Sequence, residues 1–472
     1  MSDTVTPPGT TSSPSVPLLA SLEPLLREWL PRQRWFAGKG RAVTGFTQVA
    51  ATELLPVEGR LGLYHLLLRV HQTPAPGAPA HPGDCYQLLI GVREALPPRL
   101  APALIGHADQ GPLAGRTVYD ALYDTRPADV LLEALRSRVR VGGLRFERDP
   151  GHDIRPGLVP RLMTAEQSNS SVVYGDTYVL KLLRRVVPGV NPDLELPLAL
   201  AAEDCARVPA PAAWLRAELG EGSYVLAVLQ PFLSGADDGW ELALRELAKG
   251  EDFTAEARAL GRATAEVHTA LARALPTVTL GPAQLTPLVD GMTERLEAAV
   301  RAVPALLPYE TGLRSAYTAL ADLSAESGTW TAQRVHGDLH LGQCLRSPDG
   351  AWSLIDFEGE PARPLAERRL PQPVARDIAG MLRSFDYAAH SAPAPAPGWA
   401  ERCRAAYCAG YAEVSGRDPR TDPVLLRAFE TDKAVYEVVY EARHRPDWLA
   451  VPLAAVRRLA TPSDPTLREP RP

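Results

Sequence analysis

The sequence predicts an α+β chain in three stretches: a small mixed unit, a strand-rich segment, and a mostly helical second half. Three observations carry this. Short runs of apolar, β-branched and aromatic residues cluster before residue 233. After SGADDG (234–239), apolar residues recur at helical spacing over 240–325 and again over 373–460. Between those helical blocks, 331–357 is the only strand-like insert. A length of 472 residues exceeds what one hydrophobic core organises, so two or three domains are expected.

The elements follow in order. MSDTVTPPGTTSSPSVP (1–17) lacks a basic start and an apolar run, so it is expected as a disordered tail rather than a signal peptide. LLASLEPLLREWLP (18–31) spaces leucines and a tryptophan as a helix and stops at Pro31. A glycine-rich turn, RQRWFAGKGR, leads to strands over 44–55 and 62–70. The Pro/Ala/Gly loop 72–84 precedes another strand, CYQLLIGV. This sets a first unit at 18–105. The next segment, 106–233, holds a helix near 128–139, a strand near 143–148 and the hairpin SSVVYGDTYVLKLL, turning at Gly175-Asp176. NPDLELPLALAAE opens a helix with Asn191 as N-cap and Pro192 at the first helical position. AAWLRAEL and SYVLAVLQPFL are its last strands. The helical part is placed at 234–465, with HSAPAPAPG (390–398) as a surface loop.

Composition narrows the function classes. A net charge of −6 and a pI near 6.0 give no electrostatic reason to expect nucleic acid or an anionic membrane as partner. No apolar stretch approaches the roughly 18 residues of a membrane span. Five scattered cysteines without a CxxC pair fit reduced thiols in the cytoplasm. Of 50 basic residues only Lys39, Lys181, Lys249 and Lys433 are lysine. In a chain so biased to arginine, a lysine inside a motif marks a place where a compact ammonium is needed.

RVHGDLHLGQ (334–343) and SLIDFEGEP (353–361) carry the chemistry. Phosphoryl transfer needs a carboxylate to align an acceptor hydroxyl, metal-binding groups beside the phosphates, and a fixed cation. In kinase-type sites His-x-Asp is followed five residues on by a metal-binding amide, then by a second aspartate after a short hairpin. Asp338, Gln343 and Asp356 have that spacing, with the hairpin turning at Pro-Asp-Gly (348–350). Upstream, Lys181 ends a strand where an ammonium can reach the α- and β-phosphates, and Glu195 is placed to pair with it. Ser168, Asn169 and Ser170 replace the glycine-rich loop with hydroxyl, amide and backbone donors. Gln230 and Phe232 fall at the hinge, with backbone groups for an adenine edge.

WLPRQRWFAGKGR, EQSNSSVVYGDTYVLKL, RVHGDLHLGQ, IDFEGEPARPLAERRLPQPVARDIAGMLRSFDYAA and KAVYEVVYEARHRPDWL together resemble the maltokinases of actinobacteria, over nearly the whole chain. The resemblance implies a protein-kinase-like bilobal fold, with a β-rich N-lobe and an α-helical C-lobe, preceded by an N-terminal α+β cap. It implies ATP-dependent phosphorylation of maltose to maltose 1-phosphate, feeding α-glucan synthesis from trehalose. Carried onto this chain it makes Asp338 the catalytic carboxylate, Gln343 and Asp356 the Mg2+ ligands, and Lys181 the phosphate lysine. It also suggests trehalose synthase as a partner. The cap's role is open between enclosing substrate, docking that enzyme, and packing.

His336 and Asp377 are expected to brace the loop, and His340 either braces it or meets substrate. Lys433, Tyr436, Glu437 and Tyr440 fall on one helical face and are expected to grip the sugar, with Glu441 and Arg443 near its end. RPLAERRLPQP (363–373) reads as a solvated connector. Competing readings are a kinase of the same fold for an aminoglycoside, amino alcohol or thiosugar, and a pseudokinase that has lost turnover.

Overall fold

A computed structural model describes residues 18–74, 83–163, 168–326, 328–360, 363–391 and 396–461. The expected tail (1–17), the centres of the two Pro/Ala loops, Glu166, Gln167 and the end of the helical part beyond 461 lie outside the described residues. The chain forms two compact units, Met1–Val190 with Pro211–Phe232, and Asn191–Ala210 with Leu233–Pro472.

The first unit holds two antiparallel sheets. Helix Leu19–Trp29 turns Leu22, Leu26 and Trp29 inward, spaced four and three apart, and these pack with Leu66, Leu68, Tyr86 and Leu88. Those strand residues belong to a sheet ordered Val43–Leu55, Gly62–Gln72, Asp84–Arg93, Thr117–Asp120, Leu104–His107. The last two strands, four residues each and set among Pro and Gly, escape a pattern reading. The second sheet runs Arg140–Val141, Leu144–Arg148, Ala213–Leu219, Gly222–Pro231, Tyr178–Leu182, Ser170–Tyr174, Pro160–Leu162. Its hairpin turns with positive φ at both Gly175 (51°) and Asp176 (52°), the geometry a two-residue turn needs to match the strands' twist. Arg185–Val186 leaves this sheet to pair with Cys85 and Tyr86 of the first. The Gln87 side-chain amide donates to the Leu183 and Leu226 carbonyls at 2.8 Å each, so the two sheets share buried polar contacts.

The second unit is mainly helical. Asn191 caps helix Pro192–Ala202 by accepting from the Asp193 N–H at 2.8 Å. Its core surrounds the helices Thr254–Ala274, Ala375–His390, Trp399–Ser415 and Pro423–His444. Gly261 and Gly410 let two of these helices meet backbone to backbone: a Cβ at either would collide with a facing carbonyl, of Tyr407 and Arg258 respectively. The strand-like insert resolves into Trp330–Ala332 and the hairpin Cys344–Arg346, Trp352–Leu354. It is not alone, which corrects the sequence reading. Val278–Leu280 pairs with the first of these strands and Asp237–Asp238 with the second, each too short to show periodicity. The expected solvated connector contains a helical turn, Leu365–Arg368, with no buried residue, and Arg368 donates to the Glu358 carbonyl at 2.8 Å. Among the described residues no helix is long and apolar enough to cross a membrane.

Candidate active site

The loop 334–343 is held from behind by a buried carboxylate. Asp377, 1% exposed on helix Ala375–His390, accepts from the His336 N–H at 2.7 Å and the Gly337 N–H at 2.8 Å. His268 Nε2 lies 3.0 Å from the same group, and its Nδ1 lies 3.0 Å from the Tyr411 hydroxyl. Burial pushes the Asp377 carboxyl up, but the hydrogen bond and charge of His268 and the loop N–H groups hold it below the usual carboxylate range. Gly337 sits at φ +86°, open to glycine at little cost. The His336 ring bridges loop and hairpin: Nδ1 accepts from the Asp338 N–H at 3.4 Å and Nε2 donates to the Ile355 carbonyl at 2.9 Å. Those two bonds require the neutral tautomer with its proton on Nε2.

Asp338, Gln343 and Asp356 are all part-exposed in this unit, as a reactive group and metal ligands must be. Gln343 Nε2 donates to Asp356 Oδ2 at 3.0 Å. Asp356 has φ +65°, a left-handed conformation uncommon for residues other than glycine, asparagine and aspartate. Next to it, the Phe357 N–H donates to Asp193 Oδ1 at 2.7 Å. Carboxylate oxygens of Asp193, Asp356 and Glu358 all lie within 4.8 Å of one another. Sequence reading did not include Asp193 or Glu358; the first lies two residues before Glu195 and the second two after Asp356, with no spacing rule joining them.

Lys433 is the centre of the charge arrangement. Its Nζ donates to Asp338 Oδ1 at 2.9 Å and to Glu360 Oε1 at 3.3 Å, and it lies over the Tyr436 ring at 5.1 Å. Burial disfavours the ammonium, yet Asp338, Glu360 and Glu437 together raise its pKa well above the ordinary lysine value. Glu360 also binds Arg363 at 2.7 Å and Arg376 at 3.0 Å. Burial alone would push its carboxyl up, but Lys433, Arg376 and Arg363 bring it down to about 2.

Two cavities meet at Asp338, Gly380, Lys433 and Tyr436. One, of about 840 Å³, is lined further by Arg295, Glu360, Arg363, Arg376 and Asp432, which bind one another. The other, of about 910 Å³, gathers His340, Tyr387, Glu437, Tyr440, Glu441 and Trp448. Tyr436 and Tyr440 stack at 6.2 Å and 27°, and Tyr387 and Trp448 at 6.3 Å and 15°. His340 braces the loop by accepting from the Gly342 N–H at 3.1 Å and also lines this cavity; burial keeps its pKa low and its ring neutral.

Glu437, one of the residues expected to grip the sugar, lines this cavity. It is buried, and its carboxylate is bonded to Arg383 at 2.8 Å, a residue 54 positions away that no local pattern reveals. Burial raises its pKa. Arg443 is exposed and is not among the cavity's lining residues.

The remaining expected residues belong to the first unit, except Glu195. Lys181, on strand Tyr178–Leu182, sits opposite Val228 and Ser171 in the sheet. Gln230 pairs with Val179, and the Phe232 N–H donates to the Thr177 carbonyl at 2.9 Å. Asn169 Oδ1 accepts from the Arg184 N–H at 3.3 Å, and Ser170 Oγ accepts from Arg184 Nε at 2.8 Å. Ser168 is exposed beside them. In the second unit, Glu195 binds Arg334 at 2.6 Å and Arg369 at 3.5 Å.

Residues 161–421 match a family described as phosphotransferase enzymes, more than half of the chain. The chain belongs to the phosphotransferase enzyme family. Residues 29–124 match the maltokinase N-terminal cap domain, so this phosphotransferase has the cap-then-kinase architecture of maltokinases, on a protein-kinase-like fold. It is 31% identical over 354 residues to a glucosamine kinase of Streptacidiphilus jiangxiensis, covering 69% of this chain and 79% of that one. It is 30% identical to one from Mycolicibacterium smegmatis, covering 63% and 79%. A solved glucosamine kinase, in complex with glucosamine, ADP and inorganic phosphate, aligns over 92% of this phosphotransferase and 98% of its own chain, with a TM-score of 0.64 and 24% identity.

Proposed function

We propose that this sugar kinase transfers the γ-phosphoryl group of ATP to the anomeric hydroxyl of maltose, giving maltose 1-phosphate for α-glucan synthesis. One observation carries the acceptor: the cavity of about 910 Å³ that starts at Asp338 and Lys433 and is walled by two stacked aromatic pairs. That volume is at the upper end of the roughly 300–1,000 Å³ that encloses drug-sized ligands. A disaccharide is of that size, and it needs flat aromatic surface against its C–H faces.

In this reading Asp338 orients the acceptor hydroxyl and takes its proton late in transfer. Lys433 holds Asp338 in place, and His336 and Asp377 fix the loop on which Asp338 stands. Gln343 and Asp356 hold Mg2+, with Asp193 and Glu358 beside them; the donors are all oxygen, which suits a hard cation. When bound, the metal neutralises charge on the phosphates. Lys181 reaches the non-transferred phosphates. Ser168, Asn169 and Ser170 contribute donors, and Gln230 and Phe232 offer backbone groups to adenine. The five free thiols suit a reducing cytoplasm, where trehalose synthase would supply maltose.

A second acceptor, glucosamine, is favoured by the relatives' names and by the acidic residues Asp238 and Glu241 on the same cavity wall. ADP release measured across maltose, glucosamine, glucose, trehalose and an aminoglycoside tests the choice. Maltose should give the highest kcat/KM; glucosamine ahead of maltose by tenfold would overturn it.

A further inference from the structure

We propose that Glu441 is the residue by which the sugar cavity tells two linked rings from one, its carboxylate taking a hydroxyl of the acceptor's second ring. This rests on maltose as the acceptor and supplies the partner of its far ring. Glu441 stands on helix Pro423–His444 and is 1% exposed, yet it lines the cavity of about 910 Å³.

Its two oxygens are served unequally. Oε1 accepts from the Tyr387 hydroxyl at 3.1 Å and from Arg445 Nη2 at 2.7 Å. Oε2 is buried and has no hydrogen-bond partner among the described residues. An ionised carboxylate only accepts, and each oxygen has room for about two hydrogen bonds, so Oε2 calls for an O–H or N–H donor. A bare acceptor in a buried place is costly, and a donor arriving with the ligand removes that cost. Holding Tyr387 and Arg445 in place needs only Oε1. The Arg445 guanidinium already answers the charge of the carboxylate, so the missing donor is a neutral hydroxyl rather than an ammonium.

Position along the helix decides which ring it meets. The reacting hydroxyl lies at Asp338, which Lys433 holds at 2.9 Å. From Lys433 to Glu441 the helix rises about 12 Å, at about 1.5 Å per residue. With single bonds of about 1.5 Å, one pyranose ring spans roughly 5–6 Å from its anomeric oxygen to the hydroxyl oxygen opposite. A further hydrogen bond of about 3 Å still leaves one ring short of Glu441. Two linked rings reach it. The walls follow the same order. The stacked pair Tyr436 and Tyr440 begins beside Lys433, whereas the pair Tyr387 and Trp448 is tied to Glu441 through the Tyr387 hydroxyl.

Initial rates of the full chain with maltose and with glucose, each varied at saturating ATP, test this for the wild type, Glu441→Ala and Glu441→Gln. The readout is kcat/KM for maltose divided by kcat/KM for glucose, a ratio from which the folded fraction cancels. The wild type should favour maltose. Glu441→Ala should lower the ratio by about tenfold or more, chiefly through the maltose KM. Glu441→Gln keeps the shape of the side chain and an oxygen for Tyr387 and Arg445. It should lower the ratio by about threefold or more, because the bond to the second ring is no longer charge-assisted. The glutamine variant decides the matter if the alanine variant does not fold. A purely structural Glu441 slows both sugars alike. A wild type that favours maltose, with the ratio unchanged in the variants, therefore overturns the inference and leaves maltose as the acceptor. A wild type that does not favour maltose over glucose overturns the acceptor, and the inference with it.

Discussion

Replacing Lys433 by methionine keeps most of the side chain's length and removes its charge. The structure makes this more than an acceptor-affinity variant, because the ammonium is 2.9 Å from Asp338 and 3.3 Å from Glu360. At an effective dielectric near 20, unit charges about 3 Å apart attract by roughly 5 kcal/mol. Desolvation offsets much of that, and removing one partner of a fully buried pair costs about 3–5 kcal/mol. Lys433 and Asp338 are each about one-fifth exposed, and Glu360 keeps Arg363 and Arg376. Discounting for both, about 2–3 kcal/mol remains. If that energy orients Asp338 for transfer, kcat/KM for maltose falls roughly 30- to 150-fold, at tenfold per 1.4 kcal/mol. The loss should divide between kcat and the maltose KM, while the ATP KM changes little. Initial rates from coupled ADP release, varying each substrate in turn, give all three constants. A variant with wild-type kcat and wild-type maltose KM would show that the ammonium neither holds the carboxylate nor meets the acceptor.

Asp338→Asn should lose turnover by orders of magnitude with nearly unchanged ATP affinity, whereas Asp356→Asn should also weaken Mg-ATP binding; single-turnover rates and nucleotide titration separate the two. Lys181→Arg should be nearly as damaging as Lys181→Ala, because a planar fork does not replace a point ammonium between phosphates, and a wild-type ATP KM would contradict this. Asp377→Ala leaves two loop N–H groups without their acceptor, at about 1–3 kcal/mol each, so Tm and kcat should fall together. Its carboxyl is depressed in the folded chain, so the stability it adds is present above the ordinary aspartate pKa and lost as pH falls through the folded value. Chemical denaturation at pH 7 and at pH 3 should therefore show a smaller difference between wild type and Asp377→Ala at the lower pH.

Much of the fold was legible in the chain because its signals are local. Helix Leu19–Trp29, the three long strands of the first sheet, the Gly175-Asp176 hairpin and the Asn191 cap each depend on residues within a turn or two of one another. Strands of two to four residues, such as Asp237–Asp238 and Val278–Leu280, carry too few positions to register a period and exist because a partner strand arrives beside them.

The candidate site divides along the same line. His336, Asp338, Gln343 and Asp356 lie within 21 residues, and the spacing that chemistry demands of them is written in the sequence. Lys433 and Tyr436 could be placed on one face because a helix fixes that face locally. What the ammonium touches could not, since Asp338 is 95 positions away and Glu360 is 73. At Glu437 helical geometry aims the side chain with its neighbours, while its ion pair with Arg383, packed in from another helix, is visible only in the folded chain. Local backbone preference thus sets which residues can point together, while the energetics of a charge depend on everything within a few ångströms of it, and only the packed chain supplies those neighbours.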